Sequence, residues 1–421
     1  MRSGQDYERF LGLRPLNVQV ALPGSRCALV SGRDIAAVAG EREAIVMAAN
    51  IRNQLSAFGI LRAARKADSF VMLELAKSEA RYCGVNYANL PFFAQLFSAE
   101  LGDGVAFALH MDHYAVKSPQ DRDEATSSIP SALRAGWTSV AIDASHNADY
   151  PNLMYTRDVA MHIPLYIGLE VEVGEIKGAG ALSTVQEAEY FIGGLNSWGV
   201  FPDFLAISNG SKHGTYDSSK GESEGIDLAR TLEIAEAVQK YDCAIAQHGI
   251  SGTPLSKVGS FRKYGIHKGN VGTLWQNIVF GLEMDPASGN AVIDNGSYVK
   301  RPDRGVPDEL WAEMVKYADS KGYSRSSGDY KSLNLPFHHQ ILSLPAEYRN
   351  RILDETEAWA LRFFDAFNSV GTGSAVMDRI LQRGDWNSSP ERRALVQRSA
   401  YTSSSAPDSG AGAAEGKDYS D

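Results

Sequence analysis

The sequence has little cysteine and no long apolar run, and both shortages narrow what the chain can be. Among its 421 residues are three cysteines, Cys27, Cys83 and Cys243, an odd and widely spaced set. A disulfide scaffold needs paired thiols, so this set argues against one and fits a reducing, cytoplasmic compartment. A membrane span needs about 18 or more consecutive apolar residues, and no such run occurs. The opening MRSGQDYERFLG has no basic segment followed by an apolar one, so no secretory leader is expected. Excess positive charge is lacking too. The 41 Lys and Arg against 51 Asp and Glu leave a net charge of −10, which argues against nucleic acid as a partner. A small anionic ligand stays admissible, because a phosphate site needs only backbone amides and one or two cations.

What the chain does have is rhythm. Short apolar segments at 44–49, 69–75, 105–111, 138–143, 163–173, 204–208, 243–247 and 265–268 read as strands. Helical patterns fall between them. Residues 53–67 carry Leu55, Phe58, Leu61 and Arg65 on one stripe, and 226–241 repeat Leu228, Leu232, Ala235 and Val238. A helix is expected over 127–135 with Pro130 in its first turn. Another is expected to start at a Ser183 cap, with Gln186 completing a capping box. Eight strands alternating with helices predict an α/β fold, a (β/α)8 TIM barrel, over a doubly wound sheet. Residues 1–43 form a lead-in with a short helix or hairpin, 44–284 the barrel, and 285–400 a helical C-terminal extension. Its aromatic residues Tyr348, Trp359, Phe363 and Phe367 must pack on the barrel or on another subunit. The Ser/Gly/Ala-rich stretch 401–421 reads as a disordered tail.

The organising stretch is 105–117, VAFALHMDHYAVK, where an apolar run turns abruptly into His110, Asp112 and His113. Barrels and open α/β sheets bind ligands at the C-terminal edge of their strands. The pattern recurs, since His213 follows the strand at 204–208 and His248 follows the one at 243–247. Three imidazoles, each just past an apolar run, are the ligand set of an open catalytic zinc site. Taken singly, each is equally a hydrogen-bonded side chain at a strand end, and His110 reads as structural. The turns at 248–252 and 270–273 follow strands seven and eight, where barrel enzymes build phosphate sites from amides and hydroxyls.

ALHMDH at 108–113, LEVEVGE at 169–175, SNGSKHGTY at 208–216, AQHGISG at 246–252 and KGNVGT at 268–273 resemble, in order, the motifs of class II zinc-dependent fructose-bisphosphate aldolases. The resemblance implies that Zn2+ is held by His113, His213 and His248, with Glu172 near the metal. It implies that Asp112 exchanges a proton with the hydroxyl of the departing aldehyde. Loops carrying Gly214, Gly249, Ser251, Asn270 and Thr273 would hold the phosphate of dihydroxyacetone phosphate, and Asn50 and Ser78 would touch substrate. Cleaving a ketose beside its carbonyl leaves an enediolate, whose charge a metal with neutral ligands can stabilise. The partner implied is a small-molecule sugar phosphate, and the family implies a homodimer or larger homo-oligomer.

Three departures from the family pattern stand out. The loop after strand five is short and lacks the usual Glu-Asp pair, leaving Glu175 as the candidate base. Gly272 replaces an Asp, and Gly249-Ile250 replaces paired glycines, with Ile250 expected to narrow the site or displace its loop. These changes suit a shifted substrate or a lost activity. Alternatives are a non-catalytic or differently specific homologue and a metal-dependent hydrolase on the same barrel. His338, His339 and Arg349 of the extension read as part of a dimerisation arm rather than a lid over the site.

Overall fold

The computed structural model describes residues 4–174, 182–211 and 225–404. Eight parallel strands close into a barrel in sequential order. They are β1 (Val46–Asn50), β2 (Val71–Ala76), β3 (Phe107–Ala115), β4 (Ser139–Asp143), β5 (Gly168–Val173), β6 (Phe204–Ile207), β7 (Ala244–Gln247) and β8 (Ile266–Val271). The barrel closes where β1 pairs with β8, Ala48 opposite Asn270.

The period of two in each strand divides its residues between two cores. Met47, Ala49, Leu73, Leu109 and Leu205 belong to the apolar cluster shared with the surrounding helices. Val46, Ala48, Met72, Ala106, Ala108, Phe204, Ala206 and Ala246 form the other cluster, inside the barrel. Its floor comes from outside the expected barrel. Tyr7 and Phe10 of α1 (Gly4–Leu11), Ile35 and Val38 of α3 (Gly32–Glu41), and Val376, Met377 and Ile380 of α15 (Thr372–Arg383) all join it. The lead-in is therefore three helices, counting α2 (Leu16–Ala21), not a short helix or hairpin. Helix α3 approaches so closely that a Cβ on Gly32 would lie 2.5 Å from Ser139 Oγ.

Local corrections have local causes. Helix α6 spans Pro119–Arg134, so Pro130 sits inside it rather than in its first turn. Ser118, accepting from the Asp121 N–H at 3.2 Å, starts the helix early, with Pro119 at the first position where no N–H is needed. The capping box of α8 (Val185–Ser197) is Thr184 with Glu187, not Ser183 with Gln186. Ser183 Oγ instead accepts from the Ser208 N–H at 3.0 Å, tying the end of β6 to the chain entering α8. Strand β5 begins at Gly168, because α7 (Asp149–Ala160) and a turn take up the preceding residues.

In the extension, α14 (Ala346–Ala366) lies against α4 (Gln54–Ala67), and a Cβ on Gly59 would sit 2.6 Å from Thr356 Cβ. Trp359, Phe363 and Phe367 are buried in the core of this chain. Helix α16 runs Pro390–Ser404; the tail from 405 onward lies outside the described residues. No helix among the described residues is long and apolar enough to cross a membrane.

Candidate metal and active site

Consecutive residues of a regular strand face opposite sides, so Asp112 and His113 should not share a cleft. They do because β3 is irregular there. Its pairing with β4 slips between Met111 and Tyr114, and His113 takes a φ of +40°, a left-handed conformation uncommon outside glycine. A bulge of this kind re-aims a side chain. Both residues now line a cleft of about 810 Å³ at the C-terminal edge of the barrel.

The imidazole of His248, one residue past β7, meets that of His113 with ring centres 4.4 Å apart at 75°. Donor atoms of Asp112, His113 and His248 lie within 4.8 Å of one another, and so do those of His113, Asp143 and Glu172. His113 Nδ1 is 2.9 Å from Glu172 Oε1 and 3.4 Å from Asp143 Oδ2. His248 Nε2 is 2.8 Å from Glu170 Oε1. Both oxygens of Asp112 accept from amides, Asn270 Nδ2 at 3.1 Å and Asn50 Nδ2 at 3.0 Å.

Four carboxylates around two imidazoles form a site that wants a cation. Burial opposes a charge on His113, yet the Glu172 and Asp112 carboxylates outweigh it and hold the imidazole well above its ordinary value. Burial and the neighbouring Asp143 push Glu172 up to about 7. Burial would raise Asp112, but the charges of His113, Lys268 and His248 hold it below the usual carboxylate range. Glu172 Oε1 is buried without an aligned hydrogen bond, although it lies close to His113. Imidazole nitrogens and carboxylate oxygens are zinc donors, so the residues present fit a divalent metal.

Every described candidate from the sequence reaches this cleft or its edge. Asn50, Ser78, Gly249, Ser251, Asn270 and Thr273 line it with Asp112, His113 and His248, and Glu172 touches His113. His213, Gly214 and Glu175 lie outside the described residues. The loops after β7 and β8 are joined, as the Gly272 N–H donates to Ser251 Oγ at 3.0 Å. Glycine at 272 has a local reason, because a Cβ there would come within 3.1 Å of Asn50 Oδ1. Ile250 does not narrow the cleft: it is fully buried and its Cδ1 packs over Gly269.

Several participants escaped the sequence reading. Asp143 ends β4 within reach of His113. Glu79 accepts from Asn50, from Arg52 at 2.9 Å and from the Ala76 N–H at 3.0 Å, fixing the loops after β1 and β2. The extension supplies a wall through Tyr298, Ser326, Gly328 and Lys331, the last lying over the Tyr82 ring. The extension thus reaches the cleft itself.

With this geometry established, comparison with known proteins places the chain. Residues 30–321 match the family model described as fructose-bisphosphate aldolase class-II. The chain belongs to this family. It is 28% identical over 254 residues to a fructose-bisphosphate aldolase of Streptococcus pneumoniae, covering 58% of this chain and 79% of that one. With the enzyme of the same name from Giardia intestinalis it shares 24% identity over 319 residues, covering 69% and 92%. The fold is similar to that of the YdjI aldolase from Escherichia coli K12, with a TM-score of 0.54 at 17% identity over 82% of this chain and 99% of that one.

Proposed function

We propose that this protein is a zinc-dependent aldolase. It reversibly cleaves a ketose phosphate or bisphosphate, such as fructose 1,6-bisphosphate, to dihydroxyacetone phosphate and an aldehyde. The observation that carries the reading is the meeting of Asp112, His113 and His248 at one point of the barrel edge, in a chain of the class II family. His113 and His248 would hold the metal with His213, and Glu172 would stand beside it. When bound, zinc supplies Lewis-acid polarisation of the ketose carbonyl.

The remaining work falls to the chain. Asp112, whose carboxylate is fixed by two amides, takes the proton of the hydroxyl that becomes the aldehyde and returns it in the reverse direction. Backbone N–H groups and hydroxyls of the turns at 249–251 and 270–273 hold the donor phosphate, with Gly214 allowing a third close approach. Asn50 and Ser78 meet the rest of the substrate. Glu175 exchanges the proton of the donor carbon. Residues 44–284 form the catalytic domain in this reading, between a lead-in at 1–43 and a helical extension at 285–400 that adds one wall of the cleft. Three buried, unpaired cysteines support a reducing, cytoplasmic setting, and a homodimer or larger assembly belongs to the same reading.

The test is exchange of the C3 proton of dihydroxyacetone phosphate in D2O, followed by NMR. Exchange that needs zinc and is lost in His213→Ala supports the donor half-reaction. Loss in Glu175→Gln supports the assigned base. No exchange by zinc-loaded protein overturns the proposal and leaves a non-catalytic or differently specific homologue, or a hydrolase.

A further inference from the structure

Below the cleft, inside the barrel, lies a layer of charge that the proposed reaction does not use. Glu74, His110, Glu170 and Lys268 are there, each 0% exposed. A lysine is almost never fully buried unless it is paired. Lys268 Nζ forms an ion pair with Glu170 Oε2 at 2.7 Å, donates to Asn270 Oδ1 at 2.9 Å, and lies 3.3 Å from Glu74 Oε2. Two of these acceptors lead upward to the site. The other oxygen of Glu170 meets His248 Nε2 at 2.8 Å, and the amide nitrogen of Asn270 donates to Asp112 Oδ1 at 3.1 Å.

The chemistry of each link gives it a direction. An ammonium only donates, so Asn270 must turn its carbonyl to Lys268, which leaves its NH2 for Asp112. The same ammonium keeps Glu170 a carboxylate, which only accepts. His248 must then carry its proton on Nε2, which fixes the tautomer and the orientation of the ring at the cleft edge. Carboxylates behind a ligand imidazole commonly set its tautomer and aim in this way. Here one buried cation stands behind both the imidazole and the acid.

We infer that Lys268 is a positioning residue, setting His248 for metal binding through Glu170 and Asp112 for proton transfer through Asn270. The inference rests on the metal-binding half of the proposed function and does not depend on which sugar is cleaved.

The experiment is competition for Zn2+ between a chromophoric chelator and metal-free protein, with the rate of proton exchange or cleavage measured alongside. Wild type is compared with Lys268→Met, Glu170→Gln, Asn270→Ala and the double variant Lys268→Met/Glu170→Gln. Glu170→Gln and Lys268→Met are expected to weaken zinc binding about 10- to 100-fold. The double variant should bind about as weakly as the weaker single one, since both act along one chain. Asn270→Ala should hold zinc within about threefold of wild type while lowering kcat about 10- to 100-fold, with KM little changed.

A lysine that merely stabilises the fold would lower the melting temperature and leave the zinc constant of the folded protein unchanged. That result, or multiplying losses in the double variant, overturns the inference. If Lys268→Met does not fold, the two single-arm variants decide: zinc weakened by Glu170→Gln alone supports the arrangement, and equal zinc binding in both overturns it. Wild type that binds no zinc would overturn the functional proposal as well. Wild type that binds zinc no better than Lys268→Met and Glu170→Gln sinks only this one.

Discussion

The two ends of the barrel interior are built by the same eight strands from opposite materials. Where the interior meets α1, α3 and α15 it is apolar, with Ala48, Ala106, Ala108, Ala206 and Ala246 joined by a few larger groups. Toward the C-terminal end it holds Glu170, Glu172, Asp112, Lys268 and Asn270, whose spare valences meet one another or the cleft. Small side chains in the apolar part let helices from both ends of the chain seat tightly. The upper half keeps like charges close together, an arrangement that burial makes costly on its own. Changes at the two ends should therefore separate binding from stability.

The largest expected effect is at the top. His248→Ala should lower proton exchange more than about a thousandfold, on the order of 4 kcal/mol in the barrier. The melting temperature of the metal-free protein should barely move, because Glu170 keeps Lys268 as its partner. Stripping zinc from wild type with a chelator should copy this, with activity lost and far-UV circular dichroism unchanged. If either treatment unfolds the protein, the two ends are not independent.

The reverse case lies at the floor, where Arg383 of α15 pairs with Asp34 of α3 and the two are 6% and 3% exposed. Arg383→Met strands a buried carboxylate and should cost about 3 kcal/mol in a urea titration. The zinc constant of the folded protein should not change. Replacing both partners together, as Arg383→Met/Asp34→Leu, should recover most of the loss. A finer probe of the same seam is Ile35→Val, which removes one methylene from the floor and should cost about 1 kcal/mol.

The same contrast explains what could be read from the chain alone. The strands were legible because their apolar runs are local signals, and the cleft residues because they follow those runs in a familiar order of motifs. The floor was not, since nothing near Ile35 or Val376 says which strands they will meet. Nor was the buried layer. A lysine inside KGNVGT reads as a polar strand end, and only the register of β8 against β1, with Lys268 opposite Val46, turns it inward. Asp143 and Glu79 were missed for a similar reason, because their partners His113 and Arg52 lie on other strands or loops. The bulge that brings Asp112 and His113 to one side is a backbone event without a side-chain signature.

The smallest effect concerns the start of α8. A serine followed three residues later by glutamine reads as a capping box, and so does the next pair, Thr184 and Glu187. The structure chooses the second, with Thr184 Oγ1 accepting from the Glu187 N–H at 3.2 Å and Glu187 Oε2 accepting from the Thr184 N–H at 3.3 Å. Thr184→Ala should therefore cost about 1 kcal/mol, the usual loss of an N-cap, and fray the first turn of α8 in hydrogen exchange. Ser183→Ala should leave that turn intact. It would instead free the Ser208 N–H at the top of β6, so faster exchange should fall on Ser208, on the cleft side. Fraying of α8 in Ser183→Ala would return the cap to Ser183.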